Sequence, residues 1–332
     1  MRYLLVDASN TFFRARHVAA RGSDQWTKLG FAIHLTISGI HKAIKDLGGD
    51  HVVFCLERRS WRKDFYDPYK RNRQAARESM TDDQAEEDKL FYEAYDEMCA
   101  FFRDKTNCTV LKVERAEADD CIARWIALHP DDEHVIISSD SDFHQLITDK
   151  VSQFNGINNE WIMINGVFND RMKPVKDKKT GEQKTIGDPK FVLFEKIMRG
   201  DGSDNVMSAY PGVRTKGTKN KVGLQEAFAD MGKKGYNWNN MMLQRWTDPD
   251  GVEHRVLDDY ERNRQLIDLT AQPDELKAAF DAEIKTQAQH KIQGQVGSHL
   301  LKFCGKYDLV RISEQATSYA EWMKRGYEGH LL

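Results

Sequence analysis

Three apolar runs that end on acids constrain the fold of this chain more than any other feature. RYLLVD closes on Asp7, HVVFCLE closes on Glu57, and HVIISSDSD passes into Asp140 and Asp142. Each run is short, aliphatic or aromatic, and apolar without strict alternation, which is the pattern of a strand buried on both faces. Between them lie stretches with apolar residues three and four apart. One carries Leu29, Ile33, Ile37, Ile40 and Ile44, and another carries Ala118, Cys121, Ile122, Trp125 and Ile126. That spacing makes a single apolar helical face. Strands alternating with helices predict an α/β fold, with a central, mostly parallel sheet and helices on both faces.

The remaining pattern extends this reading. Strands are predicted over 2–7, 51–56, 108–113, 133–138, 151–154 and 161–164. Helices are predicted over 84–104, from Glu117 onward, over 142–147 and over 191–198. Residues 173–188 are Lys-rich around Thr180 and Gly181 and read as a hairpin. Beyond 206 the chain reads as helices and loops, over 222–231, 258–269, 273–303 with breaks, and 316–325. The expected division is an α/β core over 1–205, a basic segment at about 58–82, and a helical region over 206–332.

Two further acidic clusters join the three strand ends. They are Glu117, Asp119 and Asp120 in AEADDCIA, and Asp201 and Asp204 in RGDGSDNV. Each has an ordinary explanation in a chain with 52 Asp and Glu. Acids favour the first turn of a helix, Asp140 suits an N-cap, and Asp suits a turn. Together they read as one site. Ligands bind outside the carboxyl ends of the strands in an open α/β sheet. Carboxylates converging there repel one another unless hard divalent cations lie between them. No Ser/His/Asp signature and no GxxxxGK[ST] phosphate loop is present.

The net charge of -3 hides segregation. Residues 58–77 carry eight Lys or Arg against Asp64 and Asp67, with Trp61, Phe65, Tyr66 and Tyr69 interleaved. Arg214, Lys216, Lys219 and Lys221 fill 212–223 without an acid, and an acidic run from Glu78 to Asp88 separates the two patches. Cations neutralise phosphates and aromatic faces stack on bases, so the pattern fits a polyanion touching chosen patches. A solvated charged helix is the ordinary alternative. Because cations of the 60–80 stretch have no evident internal partners, that stretch is expected to be mobile without a ligand. In PGVRTKGTKNKVGLQEAF, Gly and Lys alternate ahead of a helix whose first N–H groups could bind a phosphate.

Composition excludes other classes. No stretch approaches the ~18–20 apolar residues of a membrane span. The chain enters a strand at once, with no signal-peptide pattern. Five scattered cysteines without CxxC spacing read as reduced, which leads to an expected cytoplasmic location.

In order, the strings WRKDFYDPYKRNRQAARES, EADDCIA, HVIISSDSDFHQLITDKVSQF and MRGDGSDNV resemble the structure-specific 5′-nucleases, the flap endonucleases and 5′→3′ exonucleases. The likeness is strongest to bacteriophage members, the phage ribonuclease H type included, and spans residues 1–215. The resemblance implies a PIN-like core and two divalent metal ions, Mg2+ with Mn2+ able to substitute. It implies Asp7, Glu57, Glu117 and Asp119 around the first ion with Asp120 nearby, and Asp140, Asp142, Asp201 and Asp204 nearer the second. The family usually has Asp where this chain has Glu57, which keeps the charge and adds a methylene. Lys70 and Arg73 match the family's basic string at the scissile phosphate. Arg62, Tyr69, Arg71 and Arg77 are the implied DNA contacts of a helical arch. Arg214, Lys216 and Lys219 are those of a helix-hairpin-helix loop.

The implied function is metal-dependent hydrolysis at 5′ ends, flaps or RNA primers during DNA replication, in the cytoplasm of an infected host for a phage protein. The implied substrate is branched, nicked or RNA-primed duplex DNA. Family context adds a single-strand-binding protein or a sliding clamp as candidate partners. Two rivals stand beside this reading. A PIN-type ribonuclease is shorter and lacks the basic segment and the GDGSDN region. A non-catalytic DNA-structure-binding protein has no need of the full acid set.

Overall fold

In the computed structural model, residues 1–18 and 24–328 are described. Seven strands form one sheet: β1 (Arg2–Asp7), β2 (His51–Cys55), β3 (Thr109–Leu111), β4 (Glu133–Ile137), β5 (Val151–Asn155), β6 (Glu160–Met163) and β7 (Gly166–Phe168). Their order is β3-β2-β1-β4-β5-β6-β7. The first five are parallel and β6 and β7 run antiparallel. The mostly parallel sheet expected from the apolar runs is therefore present. β1 lies between β2 and β4, with Asp7 opposite Cys55 and Val6 opposite both Phe54 and Ile137. That register brings Asp7, Glu57 and the 138–142 turn to one end of the sheet.

The period-2 geometry of strands divides their side chains between two cores. Leu4, Val6, Val52, Phe54, Val135 and Ile137 belong to one cluster, and Tyr3, Leu5, Val53, Cys55 and Ile136 to the other. On the first face lie α1 (Ala8–Val18), α2 (Gln25–Leu47) and α5 (Asp82–Lys105). On the second lies α6 (Ala118–Leu128). α2 is started by Asp24, whose side chain accepts from Thr27 N at 3.0 Å. α5 is started by the reciprocal pair Thr81 and Gln84. The basic segment folds into two short helices, α3 (Arg62–Phe65) and α4 (Arg71–Glu78).

The second half continues with α7 (Pro189–Arg199), α8 (Leu224–Asp230), α9 (Tyr236–Met242), the hairpin β8 (Arg245–Thr247) and β9 (Glu253–Arg255), and α10 (Val256–Ile267). It ends with α11 (Asp274–Gln287), α12 (Val296–Lys306), α13 (Val310–Ser313) and α14 (Ala316–Met323). These residues do not pack as one body. α7 to α10 share a core of their own with Tyr69. α11 returns to the second face of the sheet and α12 to α14 return to the first. Residues 173–188 form the expected hairpin-like excursion, and it is fastened to β7 by Val175 N to Val167 O at 2.9 Å. No helix among the described residues is long and apolar enough to cross a membrane.

Several elements were not legible beforehand. α1 starts directly after Asp7, and its sequence ASNTFFRARHV lacks a clean apolar stripe. α3, α4, α9 and the β8–β9 hairpin are short, polar segments held by tertiary contacts rather than by their own periodicity. β3 spans three residues, not six, because only Thr109–Leu111 finds a ladder against β2.

Candidate metal centre and nucleic-acid face

Asp7 ends the central strand and is buried, with only neutral donors around it. Ser138 Oγ donates to its Oδ2 at 3.1 Å and Asn10 N to its Oδ1 at 3.1 Å. Burial pushes its carboxyl up to about 7, and the nearby Glu57 and Asp140 add to the effect. Ser9 Oγ lies 3.4 Å from both Asp7 Oδ1 and Glu57 Oε2, so a single hydroxyl bridges the two strand ends.

Glu117 is the N-cap residue of α6, with extended backbone (φ -92, ψ 165), and is buried. Its Oε2 accepts from Ser60 Oγ at 2.8 Å, Arg62 Nη1 at 3.0 Å and Tyr69 OH at 3.0 Å. Its Oε1 pairs with Lys70 Nζ. Burial opposes its ionisation, yet Lys70 and Arg62 draw its carboxyl down to about 2. Asp120, three residues on, accepts the Glu117 backbone N–H at 3.0 Å and both Arg62 Nη atoms at 2.9 Å. Its carboxylate is thereby taken up by a buried guanidinium. Asp119, with no such partner, is pushed up by burial and by Glu117 and Asp120. Glu117, Asp119 and Asp120 each offer an oxygen within 4.8 Å of the others.

The other half comes from two loops. Asp140 caps the 3-10 turn Ser141–Leu146 by accepting Asp142 N at 3.0 Å. α7 ends at Gly200 (φ 75), where a Cβ would meet Val206 O at 2.4 Å, so only glycine closes this turn. The following loop is pinned by Asp201 N to Val206 O at 2.9 Å and by Val206 N to Asp201 O at 2.7 Å. Asp201 accepts from Ser203 N at 2.8 Å and Lys196 Nζ at 2.8 Å, and the same Lys196 ammonium pairs with Asp142. Asp204 faces Tyr69 OH at 3.0 Å, Arg73 Nη2 at 2.6 Å and Lys70 Nζ at 3.6 Å. Asp119, Asp142, Asp201 and Asp204 line one cleft with Tyr69.

All nine sequence-selected acids thus lie in one connected group at the carboxyl end of the sheet. Among the described residues the cations that enter it are Arg62, Lys70, Arg73 and Lys196. The nine acids outnumber the four cations, and Asp7, Glu57, Asp119 and Asp140 make no ion pair with a described residue; a divalent ion there would displace the protons that burial favours on Asp7 and Asp119. The donors are all hard oxygens, with no Cys or His among them. That set fits a hard divalent cation.

Several site residues escaped the sequence reading, Ser9, Asn10, Ser138 and Ser203 among them, and two show why. Lys196 sits five residues before Asp201, and its position in the last turn of α7 was the available signal. Ser60 is silent in the sequence and matters only because Glu117 folds onto it.

The basic segment departs from expectation in three ways. Arg62, read as a DNA contact, is fully buried, and its Nε also donates to Leu266 O at 2.8 Å. Tyr69, read as a stacking platform, is buried in the α7–α10 core. The cations taken to be unpartnered are largely paired: Arg58 with Glu114, Arg59 with Asp64, Arg71 with Asp67, and Arg73 with Asp204. The segment is held across the cleft, from Glu57 to the 201–205 loop. Lys70 N donates to Asp204 O at 2.8 Å and Asn205 Nδ2 to Pro68 O at 2.8 Å. Lys70 itself adopts the left-handed conformation (φ 54) at the start of α4, a mild strain in a non-glycine residue. Arg71 and Arg77 remain exposed, with Arg77 Nη2 3.1 Å from Tyr92 OH.

In the loop before α8, Arg214, Lys216 and Lys219 are exposed. The backbone donors of Gly217 and of the helix start are spent internally. Gly217 N and Gly223 N both donate to Glu226 Oε2, at 2.9 and 3.0 Å, and Leu224 N donates to Arg214 O. The expected phosphate cradle at the helix start is therefore closed by Arg214 O, Thr215 O and Glu226, leaving the exposed side-chain cations as the expected binding elements.

A family model described as the N-terminal resolvase-like domain of 5′-3′ exonucleases matches residues 2–175. Ribonuclease H of Enterobacteria phage T4 is 30% identical over 189 residues, 54% of this chain and 54% of that protein. The match thus spans about half the length of that relative. A 5′-3′ exonuclease of Bacillus subtilis is 27% identical over 285 residues, 81% of this chain and 83% of that one. Among solved structures, the phage T5 5′-exonuclease with bound zinc ions shares the fold with a TM-score of 0.60 at 18% identity, over 86% of this chain and 99% of that chain. A phage T5 flap endonuclease complex with DNA and metal ions gives 0.55 at 16% identity, over 97% of this chain and all of that one.

Proposed function

Since the chain belongs to the 5′-3′ exonuclease family through its N-terminal resolvase-like domain, we propose that it is a divalent-metal-dependent 5′-nuclease. In this reading it hydrolyses phosphodiesters at 5′ ends, flaps or RNA primers during DNA replication. The observation that carries the reading is the convergence of carboxylates from five separate chain segments at the carboxyl end of one sheet, with a cationic segment fastened across them.

Two Mg2+ or Mn2+ ions are the proposed cofactors. Asp7, Glu57, Glu117 and Asp119 would hold the first. Asp140, Asp142, Asp201 and Asp204 would hold the second. The chemistry such ions supply is a more acidic water and neutralised charge on the phosphate oxygens. The chain's own contribution is position. Ser9, Asn10 and Ser138 hold Asp7, Ser60 and Tyr69 hold Glu117, and Ser203 holds Asp201. Asp120 acts through Arg62, whose fork fixes the first turn of α6. Lys70 and Arg73 are the cations of the crossing segment that reach Asp204, and in this reading they face the scissile phosphate. Arg71, Arg77, Arg214, Lys216 and Lys219 supply sequence-independent phosphate contacts to branched, nicked or RNA-primed duplexes. A single-strand-binding protein or sliding clamp as partner, and the host cytoplasm as the place of action, belong to the same proposal.

The test is a 5′-labelled flap substrate in Mg2+, in Mn2+ and in excess chelator. The expected result is cleavage with either ion, none in chelator, and a 3′ hydroxyl on the upstream piece. Cleavage of single-stranded RNA alone would instead select the PIN-type ribonuclease. Tight binding without turnover would select the non-catalytic DNA-binding protein.

A further inference from the structure

Among the described residues, Lys196 is the one cation of the centre that does not come from the basic segment. It stands on α7, whose Phe194, Ile197 and Met198 are buried, so its backbone is fixed and only its flexible four-carbon stem can move. Its single ammonium joins Asp142, on the turn after β4, to Asp201, on the loop after α7. The other charged or titratable groups about this pair, among the described residues, include Asp140, Asp119 and Asp204, with His144 beside Asp140 and Lys184 beside His144.

Two carboxylates from different segments do not stay together without a positive charge between them. Here the chain supplies that charge. Lys70 makes a similar contact across the cleft, spanning Glu117 and Asp204, whereas Asp7, Glu57, Asp119 and Asp140 make no ion pair with a described residue. A divalent ion coordinated by the Asp142 and Asp201 oxygens would share them with an ammonium, and the like charges repel strongly at that range.

We propose that Lys196 is a built-in counter-cation of the metal-free centre, holding Asp142 and Asp201 in place and releasing them as a divalent ion loads. This rests on the reading of the acid cluster as a divalent-metal centre. It adds that loading at the Asp142–Asp201 position is an exchange of one cation for another. Metal affinity there is then set partly by how well Lys196 competes, and the metal-free protein is stabilised by the residue that weakens its metal binding.

The experiment is Mn2+ titration of the DNA-free full chain, with free ion counted by paramagnetic resonance, alongside melting curves without metal. Lys196→Met is expected to tighten the weaker Mn2+ site about tenfold, equivalent to about 1.4 kcal/mol, and to lower the metal-free melting temperature. Lys196→Arg keeps a cation with a fork suited to carboxylates, so it is expected to fold without metal and to weaken the same site. Lys184→Met removes a nearby charge that does not touch the pair, and is expected to change Mn2+ affinity by less than the Lys196 variants. No tightening in Lys196→Met, tightening in Lys196→Arg, or an equal gain in Lys184→Met overturns the exchange while leaving the nuclease reading intact. Wild-type protein that takes up no Mn2+ overturns both.

Discussion

Asp142 and Asp201 share one ammonium, while Asp7 a few residues away in space has only hydroxyl and amide donors. The centre is thus unevenly compensated, and its residues should respond differently to substitution. Asp142→Asn and Asp201→Asn each remove a proposed ligand but also a charge that repels phosphate. Turnover on a flap is expected to fall by orders of magnitude while the dissociation constant for the same DNA changes little, as single-turnover rates and anisotropy will show. Equal losses in both quantities would point to a role in DNA binding alone. Lys70 and Lys63 separate a positioned cation from a diffuse one. Lys70 is tied to Glu117 and Asp204, whereas Lys63 makes no ion pair with a described residue. Lys70→Ala is expected to slow the cleavage step on the order of 10²-fold, the scale of losing one charge-stabilising donor, with a smaller effect on affinity. Lys63→Ala should do little to either.

At the scale of elements, the proposed function gives the basic segment the part of deciding how substrate would enter. Residues 58–82 leave the sheet at Glu57, touch the 201–205 loop through Lys70, Asn72 and Arg73, and return through α5, whose Phe91 packs on Phe12. A segment fastened at both sides of a cleft admits a strand most simply from its end. Cleavage is therefore expected to require a free single-stranded 5′ end or a nick. A closed single-stranded circle should resist, and a bulky block placed on the flap before the enzyme is added should slow cutting strongly. Circles cut as fast as free flaps would mean the segment is no gateway. The loop before α8 plays a different part. Its Gly217 and Gly223 N–H groups are engaged by Glu226, so its exposed cations are the expected phosphate contacts. Replacing Arg214, Lys216 and Lys219 with Ala should weaken duplex binding regardless of sequence and flatten its dependence on salt.

The molecule as a whole has a second cluster of ionisable groups at the opposite end of the sheet. His51, His129 and His134 pack with Tyr3, Trp125 and Tyr327. Burial lowers His51 and His134 to about 4 each, from an ordinary 6.5. Between these values the unfolded chain binds protons that the folded one refuses. Their contribution to stability is therefore full above pH 6.5 and is lost as pH falls toward 4. Asp7, raised to about 7, titrates with the opposite sign in this window, so the histidine part is read as a difference: from pH 7 through 5.5 to 4.5 the wild-type urea midpoint is expected to fall relative to that of the double variant His51→Gln, His134→Gln. Parallel midpoint curves for the two proteins would refute the linkage.

Much of this architecture was already legible in the chain. Continuous apolar runs marked β1, β2 and β4 as two-sided strands, three-four spacing marked α2 and α6, and acids at the run ends marked the centre. Those signals are local, because strand and helix periodicity and strand-end position follow from backbone geometry alone. What tertiary structure decided was the partner of each charge. Arg62 looks like any other cation in WRKDFYDPYKRNR, and only its meeting with Asp120, Glu117 and Leu266 O, the last 204 residues away, makes it a buried clamp. Lys196 looks like any lysine on the polar side of a helix until the loop after Gly200 brings Asp201 back beside it. Glu226 closes the glycine loop in the same way. A side chain's charge is written in the sequence, but whether it faces water, a ligand or another charge depends on contacts between segments that only the folded chain brings together.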